Sequence, residues 1–209
     1  MINPYDETYF NSGNYIGYLD RSERYIKLSQ EILELLVSIK YIKTTDKILD
    51  YGCATGFLLN GLYSHGYTNT HGYDISDWAL SKLDKEKHSV IDLEEENQKF
   101  DMGFFLDVLE HIYISDLKNV ISDLYYYASK IVVLQVACYE AKAKLPNGEN
   151  AHITVRNPLW WKGFIDAISS NFESTKTALV CSTAFRKALI FNVWSVNSWN
   201  ETLNYKVDL

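Results

Sequence analysis

Residues 47–56 read KILDYGCATG, and this stretch decides the fold. A short apolar run ends in Asp50, a loop of small residues follows, and a helix-like run begins at Phe57. Small side chains let a ligand approach the backbone closely, and the helix start offers free N–H groups. The pattern therefore predicts a strand, a ligand-binding loop and a helix. The small residues of the loop are Gly52, Ala54 and Gly56.

The spacing of these small residues separates two kinds of nucleotide ligand. A dinucleotide fingerprint has glycine at its first, third and sixth positions, which are Gly52, Ala54 and Phe57 here. Without the last glycine, a dinucleotide pyrophosphate lacks its usual seat, so we expect no NAD or NADP binding. A second short strand ends in Asp74, where a carboxylate is placed to accept both hydroxyls of a ribose.

Asp50 and its loop resemble the first motif of the class I S-adenosylmethionine-dependent methyltransferases, an acid followed by G-x-G-x-G, with Ala54 as the middle residue. The resemblance extends to Asp92 at the end of a third strand and to the run DVLEH at residues 107–111. It covers about residues 46–196. The resemblance implies a Rossmann-like, doubly wound α/β fold and S-adenosylmethionine as cofactor. In this family the mostly parallel sheet has seven strands, the last of them antiparallel.

The same resemblance implies roles for the residues of the cofactor site. Asp50 is expected to bind the ammonium group of the cofactor, Asp74 its ribose and Asp92 its adenine amine. Ile75 is expected to stack beside the adenine, and the backbone of Leu93 to face the ring edge. The predicted cofactor site is completed by Gly52, Ala54 and Gly56.

Apolar strands alternate with amphipathic helices along the chain, which is typical of a parallel sheet with helices on both faces. We expect residues 1–45 to form an N-terminal lid segment and helix. Residues 46–209 are expected to form the S-adenosylmethionine-binding domain, with the whole chain as one compact unit. Strands are predicted at 47–51, 70–74, 88–92, 101–106, 130–137, 177–183 and 187–196, and helices near 20–39, 56–65, 76–85, 115–128 and from Pro158.

Composition and charge agree with an enzyme domain. The 209 residues are 47% hydrophobic and 22% charged, which is ordinary for a globular protein. The net charge of −7 and the scattered Lys and Arg residues argue against a nucleic-acid partner. No apolar run reaches the length of a membrane span, no secretory signal is visible, and the three cysteines are far apart. We therefore expect a cytoplasmic protein with free thiols and a small-molecule acceptor, with the oligomeric state left open.

Three residues are candidates for catalysis on a hydroxyl or amine acceptor. His111 follows the fourth strand, and His152 lies after the fifth strand, where substrates usually sit in this family. A histidine has a pKa suited to general-base work at neutral pH. Asp107, which ends the fourth strand, is the third candidate. Two alternatives stay open, that His111 only orients its loop and that proximity alone suffices.

Tyr15, Tyr18 and Arg156 are the candidate substrate-binding residues. The first 19 residues are rich in aromatics, and we expect Tyr5, Phe10, Tyr15 and Tyr18 to close over the site and exclude water. The segment from His152 to Trp161 is similar to small methyltransferases associated with sugar or lipid modification, which implies a sugar-like acceptor. Arg156 would then hold a phosphate or carboxylate of that acceptor through its forked guanidinium.

Three functions stay open on these patterns. The favoured one is methyl transfer to an O or N atom of a small polar acceptor; the others are a nucleic-acid or protein methyltransferase and a non-catalytic cofactor-binding partner. Residues 106–109 read LDVL instead of an Asn-Pro-Pro-Tyr-type tetrapeptide, which argues against methylation of base amino groups. No histidine–carboxylate group has metal-ligand spacing, so we expect no required metal. We expect the three other histidines to be solvated, namely His65, His71 and His88.

Overall fold

The computed structural model describes residues 4–11, 17–24, 26–27, 30–31, 34, 42–93, 98–184, 187–194 and 204–208. The chain divides into two compact units, Met1–Phe100 and Asp101–Leu209. The predicted N-terminal helix is present in part, because residues 22–24, 26–27, 30–31 and 34 are helical. Its first two residues are 3₁₀, and the rest lies outside the described residues. The expected boundary between the N-terminal segment and the cofactor-binding domain, between residues 45 and 46, stays a prediction. Residues 35–41, just before it, lie outside the described residues.

The first unit contains three parallel strands joined by helices. The strands are β1 (Ile48–Tyr51), β2 (Thr70–Tyr73) and β3 (Ser89–Val90), in the order β3-β2-β1. A short helix, α1 (Glu7–Phe10), and a 3₁₀ helix (Tyr18–Arg21) come before them. Helix α2 (Phe57–Ser64) follows β1, and α3 (Asp77–Leu80) follows β2. Helix α3 is much shorter than the helix predicted at 76–85.

Close packing shapes the first unit around the loop after β1. A Cβ atom added at Gly72 in β2 would lie 2.7 Å from Cys53 Sγ, and one added at Gly56 would lie 2.0 Å from Leu83 Cδ1. Cys53, Leu59 and Leu83 form a buried apolar cluster. The loop therefore rests on β2 with no room for larger side chains at the two glycines.

The second unit holds five strands. They are β4 (Phe100–Leu106), β5 (Ala128–Ala137), β6 (Lys176–Ala184), β7 (Lys187–Trp194) and β8 (Asn204–Asp208), in the order β4-β5-β6-β7-β8. β5 and β6 are parallel, whereas β7 is antiparallel to β6 and β8 antiparallel to β7. The expectation of seven strands with one antiparallel is therefore wrong, because the described residues form eight. β8 was missed because its Asn, Lys and Asp residues have low strand propensity.

Two helices complete the second unit, α4 (Leu117–Tyr127) and α5 (Pro158–Ser169). Asn157 caps α5 by accepting the Trp160 N–H at 2.9 Å, and Pro158 takes the first helical position, as predicted. One face of α5 is buried, and Trp161 at its centre is fully covered. No helix among the described residues is long and apolar enough to cross a bilayer.

The expectation of solvated histidines is wrong for His88. Its side chain is 3% exposed and lies between Thr70 Oγ1 at 2.7 Å and Asn60 Oδ1 at 2.9 Å. His88 immediately precedes β3, and its two partners belong to β2 and α2, so the packing of these elements covers it. His65 is exposed as expected, and His71 is half-buried.

Candidate active site

The glycine loop is hydrogen-bonded directly to the end of β2. The carbonyl oxygen of Tyr73 accepts the N–H groups of Gly52 at 2.7 Å and Cys53 at 3.0 Å. One residue further on, Asp74 Oδ2 accepts the N–H of Ala54 at 2.8 Å. Three consecutive N–H groups of the loop are thereby held by the last residue of β2 and the residue that follows it.

The loop has an unusual backbone shape, with φ of 81° at Gly52, 47° at Ala54 and 79° at Gly56. Glycine adopts such angles without strain, but alanine does so at a cost of ~1–2 kcal/mol. The carboxylate of Asp74 on the Ala54 N–H offsets this cost. Within the loop, the Thr55 hydroxyl is buried with no hydrogen-bond partner in the described part of the chain. Sequence patterns did not single out Thr55.

Asp74 therefore has a structural task besides the predicted one of holding the ribose. Its Oδ1 atom accepts the N–H of Ser76 at 2.8 Å, so each carboxylate oxygen already receives one backbone donor. Burial raises the pKa of Asp74, and the backbone N–H groups around it oppose that rise. A carboxylate oxygen has two lone pairs, so each one keeps a site for a ligand hydroxyl.

Asp50 in β1 is a buried acid that carries a proton at neutral pH. Its side chain is 3% exposed, and burial together with the nearby charge of Asp74 raises its pKa to about 8. Two carboxylates this close to each other favour a ligand with positive charge, because a cation stabilises both ionised forms. S-adenosylmethionine carries an ammonium and a sulfonium group. The loop, its unpartnered Thr55 hydroxyl and this acid pair therefore fit that cofactor.

The remaining candidates for cofactor binding lie just after β2 and β3. Asp74 and Asp92 occupy equivalent positions at the ends of these paired strands. Gly72 of β2 pairs with Val90 of β3, and Asp74 and Asp92 each come two residues later. Asp92 and Ile75 are exposed, Ile75 to 55%. The backbone turn to Leu93, which is half-buried, completes this edge. The structure thus brings the three acids to the carboxyl ends of neighbouring strands, while their contacts with adenine and ribose stay predictions.

Aromatic side chains of the N-terminal segment pack on the first turns of helices α2 and α3. Phe10 stacks on Trp78 of α3 with ring centroids 5.2 Å apart. Tyr18 packs against Phe57, the first residue of α2, at 5.2 Å and against Phe10 at 5.4 Å. The segment therefore covers the elements that directly follow Gly56 and Asp74.

A backbone contact fixes the beginning of the same segment, because Ser76 Oγ donates a hydrogen bond to the carbonyl oxygen of Tyr5. Tyr18, a predicted substrate contact, is 6% exposed within the aromatic cluster. Tyr15, the other predicted tyrosine, lies outside the described residues. Substrate contact by either tyrosine and closure of the segment as a lid stay predictions.

In the second unit, hydrogen bonds tie the turn after β4 to a segment far along the chain. The N–H of Thr154 donates to the Glu110 carbonyl at 2.9 Å, and its hydroxyl donates to the Ile112 carbonyl at 2.7 Å. His111 Nδ1 lies 2.7 Å from the carbonyl oxygen of Ala151. These bonds bring His111 and His152 together.

The two histidine rings lie 5.1 Å apart and nearly perpendicular. His152 Nδ1 is 2.6 Å from the carbonyl oxygen of Tyr139. A carbonyl only accepts, so Nδ1 carries the proton in both histidines and Nε2 of the neutral ring keeps its lone pair. Burial, with a smaller effect from His152, lowers the pKa of His111 to about 4, so this ring is neutral at physiological pH.

Glu110 lies beside the histidine pair, and the charge of Asp107 acts on Glu110. Glu110 is fully buried, and its Oε1 atom accepts the Ala137 N–H at 3.1 Å. Its pKa is raised by burial and by the charge of Asp107. Asp107 has a φ of 55°, and both its oxygens lie 3.0 Å from Gln135 Nε2. Catalysis by Asp107 stays a prediction, and the sequence pattern assigns no role to Glu110.

Glu110, His111 and His152 each offer one ligand atom, and these atoms lie within 4.8 Å of one another. Spacing along the sequence therefore did not reveal a group that could hold a metal ion, while the expectation that no metal is required stays a prediction. Spacing along the sequence missed the group because His152 comes from a loop beyond β5, and only the fold brings it to His111.

Arg156, the predicted anion-binding residue, is exposed. Its Nη1 atom donates to the carbonyl oxygen of Val155 at 2.8 Å, and its guanidinium lies 5.6 Å from the centre of the Trp160 ring. The Trp160 ring therefore helps to orient the guanidinium of Arg156. Its role toward an acceptor stays a prediction.

Known proteins similar to this chain include a family of methyltransferase domains and several solved structures. Residues 20–176 match the model of a family described as a methyltransferase domain. A search of curated proteins finds no match. A magnesium protoporphyrin IX methyltransferase from Synechocystis PCC 6803, solved with bound S-adenosylmethionine, is similar at 18% identity over 89% of this chain and 87% of that chain, with a TM-score of 0.58.

Two further solved structures are similar at lower scores. A putative RNA methyltransferase from Pyrococcus horikoshii shares 16% identity over 86% of this chain and 77% of that chain, with a TM-score of 0.53. A [4+2]-cyclase shares 16% identity over 69% of this chain and 56% of that chain, with a TM-score of 0.52. Identities this low show only the shared Rossmann-like α/β fold.

Proposed function

The chain belongs to the methyltransferase-domain family, a class I S-adenosylmethionine-dependent group, and we propose that it methylates an O or N atom of a small, polar, sugar-like acceptor. The observation that carries the proposal is the loop held on Asp74 beside the buried acid Asp50. This arrangement provides a nucleoside-binding edge together with a site for positive charge. S-adenosylmethionine supplies both features, and it is the cofactor of this family.

When bound, the cofactor supplies a methyl group activated by the sulfonium for in-line displacement. The chain's own residues bind and position it. Asp50 balances positive charge inside the first unit, and the loop backbone from Gly52 to Gly56 leaves room for close approach. Asp74 accepts the ribose hydroxyls with the lone pairs that its backbone donors leave open. Asp92 and Leu93 meet the adenine.

We propose His152 as the group that takes the proton from the acceptor. The bond from its Nδ1–H to the Tyr139 carbonyl fixes the ring and leaves Nε2 as the proton acceptor. His111 is a weak base, because burial lowers its pKa to about 4. An acceptor that ionises easily would need proximity alone, and the variants below separate the two cases.

A small acceptor is supported by charge and by the exposed Arg156. The net charge of −7 disfavours a phosphate backbone as partner. Arg156 presents a planar guanidinium suited to a carboxylate or phosphate on a small molecule. The acceptors named for the structural neighbours, a porphyrin and RNA, are those of proteins with 18% and 16% identity, and they do not define this one.

A turnover screen tests the proposal. The protein is incubated with S-adenosylmethionine carrying a labelled methyl group and with pools of sugars, sugar phosphates and small amines, and products are resolved by mass spectrometry. We expect one labelled product that is absent with the Asp74→Ala variant. Label appearing only in RNA or protein substrates would contradict the small-molecule assignment. Tight cofactor binding with no transfer to any pool would favour the non-catalytic alternative.

A further inference from the structure

We propose that Glu110, His111 and His152 bind one divalent transition-metal ion in the second unit. Their three ligand atoms already lie within 4.8 Å of one another. An ion held at ~2.1 Å from each ligand needs these atoms no more than ~4.2 Å apart. Small side-chain rotations therefore suffice to form the site.

The buried carboxylate gives an independent reason for an ion. Glu110 Oε1 is held by the Ala137 N–H, but Oε2 is buried and has no hydrogen-bond partner in the ranges that the structure describes. A buried carboxylate oxygen without a donor or a cation is costly and rare in native proteins. A metal ion at Oε2 removes that cost.

The histidines are oriented in the manner of metal ligands. A ligating histidine usually donates its other ring N–H to a carboxylate or a backbone carbonyl, which fixes the tautomer and the ring direction. The Ala151 carbonyl serves His111 in this way, and the Tyr139 carbonyl serves His152. In this tautomer the lone pair of each ring is on Nε2, so Nε2 would be the ligand atom.

The donor set selects the kind of metal. Two imidazole nitrogens and one carboxylate oxygen suit Zn²⁺, Fe²⁺, Co²⁺ or Mn²⁺ better than Mg²⁺ or Ca²⁺, which prefer sets made only of oxygen. The carboxylate of Asp107 adds negative potential near Glu110. Three protein ligands leave at least one coordination position open for water or another oxygen atom.

An ion at this site would change the role of His152 from proton acceptor to ligand. If the proposed methyl transfer holds, on which this step rests, the open position is where an acceptor hydroxyl coordinates and loses its proton to solvent. The site therefore favours an acceptor with a hydroxyl group over one with only an amine.

Metal titration of the full-length chain without a polyhistidine tag tests the site. The protein is stripped with a chelator and titrated with Co²⁺, followed by visible absorption, and with Zn²⁺, followed by calorimetry. We expect one ion per chain and weaker binding by ~10²-fold or more in the Glu110→Gln and His152→Gln variants. Glu140→Gln removes an exposed carboxylate of the same unit and is expected to bind the ions like the unsubstituted protein.

Thermal midpoints and binding of S-adenosylhomocysteine are measured on the same samples. A folded, unsubstituted protein that binds neither Co²⁺ nor Zn²⁺ in stoichiometric amount would overturn the proposal. Equal binding by the Glu110→Gln and His152→Gln variants would overturn it as well. Intact metal binding without cofactor binding would instead count against the proposed methyl transfer and leave the metal site standing.

Discussion

The loop after β1 and the histidine pair of the second unit reach their geometry by different routes. The loop is local, since a strand, small residues and one acid after the neighbouring strand determine its shape. The histidine pair depends on hydrogen bonds between the turn after β4 and residues 151–154, which come from a loop beyond β5. Local patterns in a sequence reveal the first kind of site, and only the folded chain reveals the second.

The largest expected effect is a loss of turnover on substitution of His152, with cofactor binding at the loop unchanged. His152→Ala removes a ring held by the Tyr139 carbonyl and should lower turnover ~10²-fold or more at saturating cofactor. Affinity for S-adenosylhomocysteine should not change, because the proposed cofactor residues belong to the loop region. Steady-state kinetics and calorimetry measure the two quantities, with His65→Ala as an exposed control. Full turnover of His152→Ala between pH 6 and 9 would show that proximity alone suffices.

A second comparison tests how tightly the loop is packed. Gly56 and Gly66 both have positive φ, at 79° and 89°, but only at Gly56 would an added Cβ meet another side chain, Leu83 Cδ1 at 2.0 Å. Gly56→Ala should therefore lower the free energy of unfolding by ~1–2 kcal/mol more than Gly66→Ala does. Urea denaturation of both variants measures the difference. Equal losses would mean that the loop is not close-packed against Leu83.

The acid pair predicts that cofactor affinity depends on pH. Asp50 has a pKa raised to about 8, so it binds a proton in the free protein and must release it to meet a cation. Affinity for S-adenosylhomocysteine should rise up to ~10-fold per unit between pH 6 and 7.5, with proton release seen by calorimetry in two buffers. Asp50→Asn should bind more weakly and show a flat profile. If the affinity of the unsubstituted protein did not change with pH, the ammonium group of the ligand would not bind at Asp50.

The same residue has a consequence for stability. Because the folded-state pKa of Asp50 lies above its ordinary value, its contribution is fully present below pH 3.8 and is lost as the pH rises through about 8. Asp50→Asn should therefore lose less stability between pH 6 and 9 than the unsubstituted protein. Thermal midpoints at the two pH values give the comparison.

The smallest expected effect concerns the N-terminal aromatics, which adjoin the loop region. Deleting residues 1–19 removes Phe10 from Trp78 and Tyr18 from Phe57. We expect a folded protein that still binds cofactor and transfers the methyl group several-fold more slowly, because water then enters the site. Turnover and cofactor affinity are measured together. Normal turnover of the truncated protein would rule out a lid.

Much of the fold could be predicted from the sequence because short-range chemistry determines it. The apolar run before Asp50, the small residues after it and the Asn157-Pro158 helix start each act over a few residues. The strand β8 could not be predicted, because three of its five residues, an Asn, a Lys and an Asp, have weak strand propensity.

The candidate site divides in the same way. The sequence predicts an acid at Asp74 but not its bond to the Ala54 N–H, because that bond joins residues 20 positions apart and accompanies the positive φ of Ala54. The burial of Glu110 was also missed, since a charged residue in a turn reads as solvated until the fold covers it. Long-range contacts supply what spacing along the chain cannot show.

Binding of S-adenosylhomocysteine to Asp74 variants tests the central claim, that the loop of the first unit holds the cofactor. Calorimetry should give micromolar affinity, about −8 kcal/mol, for the unsubstituted protein. Asp74→Ala should lower affinity ~10²-fold or more by losing charge-assisted ribose bonds, and Asp74→Asn less, because one acceptor oxygen remains. Asp77→Asn, an exposed acid nearby, should bind normally. Unchanged affinity in a folded Asp74→Ala protein, or saturable NAD binding with none of S-adenosylhomocysteine, would contradict the account.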